Sequence, residues 1–343
     1  MAIPLFKLPI LVIKLVFEVM GFIDIFVLTN TSSKTKQFVK NLLTCKNQEM
    51  HIFMGKEAFF FSLLRDSHPT FLEQIHWKSG ERQPQEVFYL KIGTIDHVPS
   101  EFLPAKDGHA ALAVYLNENI NHGEVIYNAI IDLFKIPIKH IRMDLNDFPN
   151  EIHRSWIIFF NENLSTASLL EIVGKCTFRD YFWILDYVNT KNMFAMRADQ
   201  TDFSDDYGHH CADYSFEGES IVVSDGRWIC REDLRSIDAR SINIARILIS
   251  VDDINKYLRD WKNMKKEDRL DLTFLNLKEL TIIFEYERNR ENLLEGLEAT
   301  NEDLIMPVDV LNQWSFKMAN GDKCTVTYAK YEGDDKFEFR VGN

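Results

Sequence analysis

Hydrophobic positions are densest near the beginning of the chain. Pro9 is followed by an almost continuous apolar run from Ile10 to Met20, and Gly21 comes directly after it. Proline is tolerated in the first turn of a helix, where its missing N–H would have had no partner, so the run predicts a helix bounded by Pro9 and Gly21. A helix that is apolar on most sides needs neighbours on most sides. The run therefore predicts either an ordinary core helix or a helix that docks on a partner protein.

Two more short helices are predicted before residue 44. Asp24 opens a second apolar segment, which continues to Leu28. The hydroxyl groups of residues 31–33 are suitable N-caps for a third helix from Lys34 to Leu43. The positions that share one face of this helix are Thr35, Phe38, Val39 and Leu42. The beginning of the chain thus predicts a small helical module ahead of a larger body.

Four features of this module match a known pattern: Leu8-Pro9, the helix to Met20, Asp24-Ile25-Phe26 and the Ser-Ser-Lys-Thr-Lys stretch of residues 32–36. They resemble an F-box in the form found in the large nematode F-box B family, whose members also carry a type 2 F-box-associated domain. The chain differs from the family pattern at Gly21-Phe22, where an Asp-Pro turn is usual, and at Asn30, where an apolar residue is usual.

The resemblance implies that the module binds a Skp-type adaptor and, through it, a cullin. The residues that match the family's adaptor contacts are Leu8, Pro9, Ile13, Val16, Phe17, Ile25 and Leu28. The alternative is a protein that keeps the F-box fold without binding the adaptor, because the differing positions permit such a loss.

Residues 47–136 predict a small α+β region that connects the F-box to the body. Two segments, His51 to Met54 and Glu86 to Ile92, have the β-branched and aromatic content of strands. Residues 79–84 between them predict a loop. The amphipathic pattern from Gly123 to Lys135 predicts a helix, which Pro137 stops.

From residue 137 onward, short strand-like segments recur at intervals of 24 to 33 residues. Each contains two apolar residues separated by one position, and the first members are Ile141, Leu170, Phe194, Ile221, Ile247 and Leu280. Helical patterns lie between most of them, at residues 151–161, 178–188, 231–237 and 251–264. This period is typical of a leucine-rich-type solenoid, in which each unit buries its apolar face on its neighbours. The regular leucines and asparagines are missing, so the region predicts an irregular solenoid or an ordinary α/β layer.

Two later segments extend the resemblance to the same family. Residues 251–261 are similar to the associated domain's Asp-Ile-Asn-x-x-Leu-x-x-Trp helix, which Asp252 or a neighbour is expected to cap. Its predicted core positions are Ile254, Tyr257, Leu258 and Trp261. Residues 314–328 resemble the family's ending, and Asn320-Gly321 between two alternating runs predicts a hairpin, because both residues accept the positive φ of a type I′ turn.

The predicted fold class is therefore mixed α+β and α/β: a three-helix F-box, an irregular leucine-rich-repeat-like α/β solenoid and a C-terminal β-hairpin. The predicted domains are the F-box at 1–46, the connecting region at 47–136, the F-box-associated domain at 137–300 and the hairpin cap at 301–343.

The distribution of charge along the chain narrows the class of molecule that it is expected to bind. The chain has 343 residues and a formal net charge of −13, and its 46% hydrophobic content allows a sizeable core. Residues 1–46 hold six lysines against Glu18 and Asp24, a balance of +4, which leaves −17 for the remainder. A basic head on an acidic body favours an acidic partner at the beginning of the chain. It does not favour nucleic acid, which requires a basic stripe.

Cysteine usage and hydropathy indicate a protein of the cytosol or nucleus, without a membrane partner. No segment is long and apolar enough to span a bilayer. The five cysteines are odd in number and scattered, which predicts reduced thiols: Cys45, Cys176, Cys211, Cys230 and Cys324.

Motifs that carry chemistry are missing from the sequence, since the nucleotide-binding, metalloprotease and serine-hydrolase signatures do not occur. Asp205 to Asp213 offers carboxylate, imidazole and thiolate groups within nine residues. Adjacent His209 and His210 can rarely both reach one zinc ion, so a solvated acidic loop is the favoured interpretation. We predict no metal site, no cofactor and no catalytic residue.

These patterns together predict a non-enzymatic substrate-recognition subunit, similar to those of SCF-type cullin RING ubiquitin ligases. Its F-box is expected to hold the adaptor, and its solenoid is expected to hold a protein substrate near the charged ubiquitin carrier. The sequence does not identify the substrate or the residues that bind it.

Overall fold

The computed structural model of the chain describes residues 7–43, 48–55, 59–65, 72–78, 87–106, 109–116, 120–147, 150–163, 167–188, 190–203, 216–263, 277–284, 293–301, 310–318, 322–331 and 334–342. These residues form eight α-helices and sixteen strands, so the mixed α/β class is confirmed. They belong to two units, Met1–Trp156 with Thr166–Ser168, and Ile157–Ser165 with Leu169–Asn343.

Three helices of ten residues open the first unit: α1 at Ile10–Val19, α2 at Phe22–Thr31 and α3 at Ser33–Leu42. All three were predicted, and α2 begins two residues earlier than expected. Ser32 is the N-cap of α3, because its hydroxyl oxygen accepts a hydrogen bond from the backbone N–H of Thr35 at 3.4 Å.

The rest of the first unit is a sheet with one long helix. Its described elements are β1 Gln48–Met54, β2 Phe59–Arg65, β3 Leu72–Lys78, β4 Phe88–Ile92, β5 Ile95–Lys106, β6 His109–Tyr115, α4 Ile120–Phe134 and β7 Ile138–Asp144. The strand order is β7-β1-β2-β3-β6-β5-β4. The β7-β1 and β3-β6 neighbours are parallel, and the others are antiparallel. The two predicted strands lie in β1 and β4, and the predicted helix lies in α4, which begins three residues earlier.

The core of the first unit lies between this sheet and the helices. α2 packs on β3, β4 and β6. The ring of Phe22 meets that of Phe134 of α4 edge to face, with centroids 5.2 Å apart. Side chains that alternate along the strands, such as Ile52, Phe61 and Ile75, are fully buried. The three opening helices are therefore packed into the same unit as β1 to β7.

The second unit combines parallel strands with helices. Its described elements are β8 Leu169–Cys176, α6 Phe178–Tyr187, β9 Met193–Gln200, β10 Phe216–Val223, α7 Arg231–Ser236, β11 Ile237–Ile247, α8 Val251–Asn263, β12 Glu279–Phe284, β13 Thr300–Asn301, β14 Val310–Lys317, β15 Lys323–Tyr331 and β16 Asp334–Gly342. The helix α5, Asn150–Asn163, contributes residues to both units. The strands β8 to β12 follow one another in chain order, and each is parallel to the next.

This arrangement agrees with the strand part of the predicted repeat, whereas the stacked leucine-rich-type solenoid stays a prediction. Strand β11 departs from the predicted spacing. The predicted centre at Ile247 is buried but is the last residue of the strand, which also buries Ile237, Ile242 and Ile244. The strand is eleven residues long, so it begins well before the predicted centre, and its pairing with β12 shifts register between Ala245 and Ile247.

The predicted hairpin near the end of the chain is confirmed by the antiparallel pairing of β14 and β15, which brings Lys317 opposite Lys323. The predicted turn residues Asn320 and Gly321 lie outside the described residues. Strand β16 was not predicted, and it pairs antiparallel with both β15 and β12. The hairpin is thus joined to the parallel strands through β16.

Candidate functional site

The helix α1 is the element that the resemblance singles out, and its backbone forms as the sequence predicts. The Pro9 carbonyl accepts hydrogen bonds from the N–H groups of Val12 and Ile13 at 2.9 and 3.0 Å. At the other end, the N–H of Met20 donates to the carbonyl of Val16, and Gly21 begins the next element. Proline therefore starts the helix without the loss of an internal hydrogen bond.

One face of α1 is buried and the other is a broad apolar surface. Ile13 and Phe17, one turn apart, are buried in the first unit. Four apolar side chains on the opposite side are exposed: Leu11 by 73%, Val12 by 40%, Leu15 by 60% and Val19 by 79%. Ile10, which precedes Ile13 on the buried side, is also 57% exposed. We call the four residues on the opposite side the α1 face. A contiguous exposed apolar surface of this kind marks a site of interaction with another molecule.

The residues that the resemblance implied as adaptor contacts are only partly presented to solvent. Pro9 is exposed, and Leu8, Val16 and Leu28 are half-buried. Ile13, Phe17 and Ile25 are core residues of the first unit. Adaptor binding stays a prediction, and the side chains that α1 offers to a partner are those of the α1 face. The i, i+4, i+8 spacing of Leu11, Leu15 and Val19 was visible in the sequence, but in an almost continuous apolar run it could not be distinguished from the spacing of Ile13 and Phe17.

A carboxylate from the sheet caps α2, which follows α1. Oε2 of Glu73, in β3, accepts a hydrogen bond from the backbone N–H of Ile23 at 2.8 Å. A Cβ at position 21 would lie 2.8 Å from both carboxylate oxygens of Glu73, so Gly21 leaves the space that this cap needs. Negative charge at a helix N-terminus is favourable, because the first N–H groups have no partner within the helix.

Polar contacts also hold the other end of α2 and the helix α3. The buried side chain of Asn30, which replaces an apolar residue of the family pattern, donates from Nδ2 to the Phe26 carbonyl at 2.7 Å. Lys36 and Lys40 of α3 form ion pairs with Asp132 of α4. The hydrogen bond from Lys40, together with that from Lys36, lowers the pKa of the Asp132 carboxyl. These contacts hold α2 and α3, the two helices that follow α1, in the first unit.

The segment β10-α7-β11-α8 forms a compact part of the second unit. Cys230 and Asp233 cap α7, where the Cys230 N–H donates to Oδ2 of Asp233 at 2.9 Å. Asp252 or a neighbour was predicted to cap α8, and the cap is Ser250, whose hydroxyl oxygen accepts a hydrogen bond from the Asp253 N–H at 3.1 Å. The predicted core positions of α8 are all buried: Ile254, Tyr257, Leu258 and Trp261.

Asn255 of α8 anchors a distant part of the chain. Its buried Nδ2 donates to the carbonyls of Leu293 and Glu295 at 2.9 and 2.8 Å. The ammonium group of Lys262, two turns further along α8, donates to the Leu297 carbonyl at 2.7 Å. The Asn of the Asp-Ile-Asn pattern therefore has a structural role, which links α8 to residues 293–297.

Residues 215–275 match a family model described as F-box associated. The match covers 61 of the 343 residues and contains β10, α7, β11 and α8. It supports a relation of this chain to F-box-associated proteins. No curated protein and no solved structure gave a significant match.

The acidic and histidine-rich segment from Asp205 to Asp213 lies outside the described residues. Among the residues that the structure describes, no group of three or more histidine, cysteine or acidic side chains could hold a metal ion. No helix in the described part of the chain has the length and apolar character needed to cross a membrane.

Two cysteines of the second unit are buried, and neither is an activated nucleophile. Burial raises the pKa of both the Cys176 and the Cys324 thiol to about 12. A nucleophilic cysteine needs the opposite shift, since the thiolate is the reactive form.

Proposed function

We propose that this chain is the substrate-recognition subunit of an SCF-type cullin RING ubiquitin ligase. The observation that carries the proposal is the match of residues 215–275 to the F-box-associated model. A domain of that description is expected in a chain that also has an F-box, and the presence of the three helices α1, α2 and α3 before residue 44 supports this expectation. The F-box then binds a Skp-type adaptor and, through it, the cullin.

The α1 face is the adaptor-binding surface in this proposal. When a partner covers its exposed leucines and branched side chains, their removal from water lowers the free energy of the complex. Two lysines of the opening segment are exposed: Lys7, which precedes α1, and Lys34, in α3. Their positive charges favour an acidic partner. Such apolar anchors dominate the affinity, while charges at the rim mainly change the rate of association.

The second unit holds a protein substrate, and the chain itself catalyses no reaction. Its contribution is a high effective concentration of substrate at the ligase, since the adaptor and the substrate are bound by one polypeptide. The reduced cysteines fit a location in the cytosol or nucleus.

A second candidate function is a protein-interaction module whose F-box does not bind the adaptor and does not lead to degradation. One observation favours it. Ile13, Phe17 and Ile25, which match adaptor contacts of the family, are buried inside the first unit.

Calorimetric titration of a purified Skp-type adaptor into the full chain separates the two functions. We expect the wild-type chain to bind, and the double variant Leu11→Asp/Leu15→Asp to bind at least about 30-fold more weakly, a loss of roughly 2 kcal/mol. The variant Leu8→Ala/Pro9→Ala is expected to weaken binding as well. Tyr89→Ala, an exposed aromatic of β4, is the control and should bind like the wild type.

The outcomes of this titration are distinct. Equal binding by the wild type and the Leu11/Leu15 variant would show that the α1 face does not bind the adaptor. No binding by the wild-type chain would favour the protein-interaction module over the ligase subunit. Raising the salt concentration should change the affinity only mildly, because the anchors are apolar.

A further inference from the structure

Strand β4, Phe88–Ile92, lies at the edge of the sheet of the first unit. It is the last strand in the order β7-β1-β2-β3-β6-β5-β4, and among the strands that the structure describes it pairs with β5 alone. A strand at the edge of a sheet presents a row of backbone N–H and C=O groups that have no partner strand. Another extended segment can lengthen the sheet by pairing with those groups, so β4 is a candidate interaction surface.

Exposed aromatic side chains lie on both faces of the sheet at this edge. Tyr89, on one face of β4, is 62% exposed. On the other face Leu90 is buried, and Phe88 is half-buried, with its ring centroid 5.1 Å from that of Phe102 in β5. Phe102 is itself 56% exposed, and outside α1 no other large apolar side chain of the described residues is as exposed as Tyr89 and Phe102. A strand added beside β4 would remove part of this apolar area from water.

The order of residues in β4 is complementary to itself in antiparallel pairing. Two copies related by a twofold axis perpendicular to the sheet pair so that opposite residues are on the same face. If the axis passes at Leu90, Tyr89 lies opposite the second copy's Lys91, and Phe88 lies opposite the second copy's Ile92. An aromatic ring is a favourable cross-strand partner for a β-branched side chain and for an ammonium group. The symmetry forms each of these pairs twice.

The charges of this edge also favour a second copy over a charged partner. Lys91 is the one charged residue of β4, and its ammonium group pairs with the carboxylate of Asp96 in β5 at 2.8 Å. Because these two charges cancel, the pair adds no net charge that would attract an acidic or a basic segment. In the register centred on Leu90 the two Lys91 side chains are not opposite each other, and their aliphatic stems cover the Tyr89 rings. A register centred on Lys91 would place like charges opposite each other, which is unfavourable.

We propose that β4 pairs antiparallel with β4 of a second copy of this chain, so that the sheets of two first units become one continuous sheet. The register is centred on Leu90, and the dimer carries two α1 faces and two second units. This inference goes beyond the proposed function, because the dimer forms whether or not an adaptor is bound.

Sedimentation velocity of the full chain over a series of concentrations tests the dimer. The average mass is expected to rise from that of one chain toward that of two. Small interfaces are weak and reversible, so the series extends to about 100 µM. Tyr89→Lys should weaken dimerisation about tenfold, because it removes the ring and places two lysines opposite each other on both sides of the axis. Tyr187→Lys makes the same change at an exposed tyrosine of α6, and this matched control should dimerise like the wild type.

Cysteine cross-linking tests the register. An equal mixture of Tyr89→Cys and Lys91→Cys chains is expected to form a disulfide-linked dimer under mild oxidation, because the two positions lie opposite each other within disulfide reach. Each variant alone should cross-link no more than the wild type, since identical positions are offset by two residues in this register. The wild-type chain gives the background from its own cysteines.

The results that overturn the inference are distinct. A wild-type chain that stays monomeric at every concentration, as it would if the edge served only an extended peptide of another protein, refutes the dimer. Equal dimerisation by the wild type and Tyr89→Lys removes β4 from the interface, and equal cross-linking by the mixture and the single variants refutes the register. Circular dichroism verifies the fold of each variant. Tyr89→Lys is expected to bind the adaptor like the wild type, because β4 shares no residue with the α1 face, so failure of either proposal leaves the other intact.

Discussion

Asn255, the asparagine of the Asp-Ile-Asn pattern, joins α8 to a distant part of the chain by hydrogen bonds. It lies among the core positions of α8, yet it is polar, and its buried Nδ2 serves two carbonyl oxygens, those of Leu293 and Glu295. An amide is needed because an apolar side chain of the same size would leave both carbonyls without a donor. Leaving a buried acceptor unsatisfied costs more than a hydrogen bond normally contributes.

We therefore expect Asn255→Leu to lower the free energy of unfolding by about 1 to 3 kcal/mol. Urea denaturation of the full chain, followed by circular dichroism, measures this change. Lys256→Ala, the exposed neighbour in the same helix, is the control and should stay within about 0.5 kcal/mol of the wild type. An Asn255→Leu chain as stable as the wild type would show that the two hydrogen bonds contribute nothing.

Single residues also mark the limit of what the sequence could predict. The core positions of α8 followed from helical spacing alone, because that spacing is local. The partners of Asn255 are 38 and 40 residues away, and Glu73 caps α2 from a distance of 50 residues. Such contacts depend on how the chain folds back, which local patterns do not encode.

At the scale of elements, the helices were predictable and several strands were not. The predicted helices match α1 to α8 closely because caps, proline and spacing act within each segment. Strand β5 contains Pro99 and Pro104, residues that argue against a strand in a sequence. In the structure Pro99 lies opposite Tyr89 of β4. Strand β2 has no alternation of apolar and polar residues, so its pattern gave no strand signal.

Histidine and phenylalanine side chains form a layer across β7, β1, β2 and β3. We expect this layer to make the stability of the first unit depend on pH. His51 lies opposite His140, with ring centroids 5.8 Å apart, and His76 stacks on Phe60 at 5.1 Å. Burial, followed by His140, lowers the pKa of His51, although Glu49 opposes the shift. Burial, followed by Lys78, lowers the pKa of His76. The fold therefore favours the neutral form of both rings.

The direction in which pH changes the free energy of unfolding follows from the protons that the folded and unfolded chains bind. The unfolded chain takes up protons near the ordinary histidine pKa of 6.5, while the folded chain resists them until a lower pH. Stability is therefore fully present above pH 6.5 and is lost as the pH falls toward the lowered pKa values. We expect the urea midpoint to be lower at pH 5.5 than at pH 7.5.

Replacement of both rings isolates their contribution. The His51→Asn/His76→Asn variant should show a smaller difference between the two pH values than the wild type, because the groups that take up protons are gone. His97→Asn, an exposed histidine of β5, is the control and should keep the wild-type difference. An unchanged difference in the double variant would assign the pH dependence to other groups.

At the scale of the whole molecule, the sequence indicated which segments are candidates for function. It did not indicate which side chains of those segments are exposed or make contacts. The resemblance to F-box proteins pointed to α1, and the family match at residues 215–275 lies in the second unit. The side of α1 that faces solvent depends on how the helix packs on the first unit, so the α1 face was visible only in the structure. The same holds for the hydrogen bond from the Gln200 N–H to Asp225, which joins residues 25 positions apart.

Affinity purification of the tagged full chain from cells, with identification of the adaptor and the cullin by mass spectrometry, tests the central claim most directly. The account predicts that both proteins are recovered with the wild-type chain and lost with Leu11→Asp/Leu15→Asp, while Tyr89→Ala recovers both. Recovery of the adaptor and cullin in equal amounts by all three chains, or their absence from the wild-type sample, would contradict it.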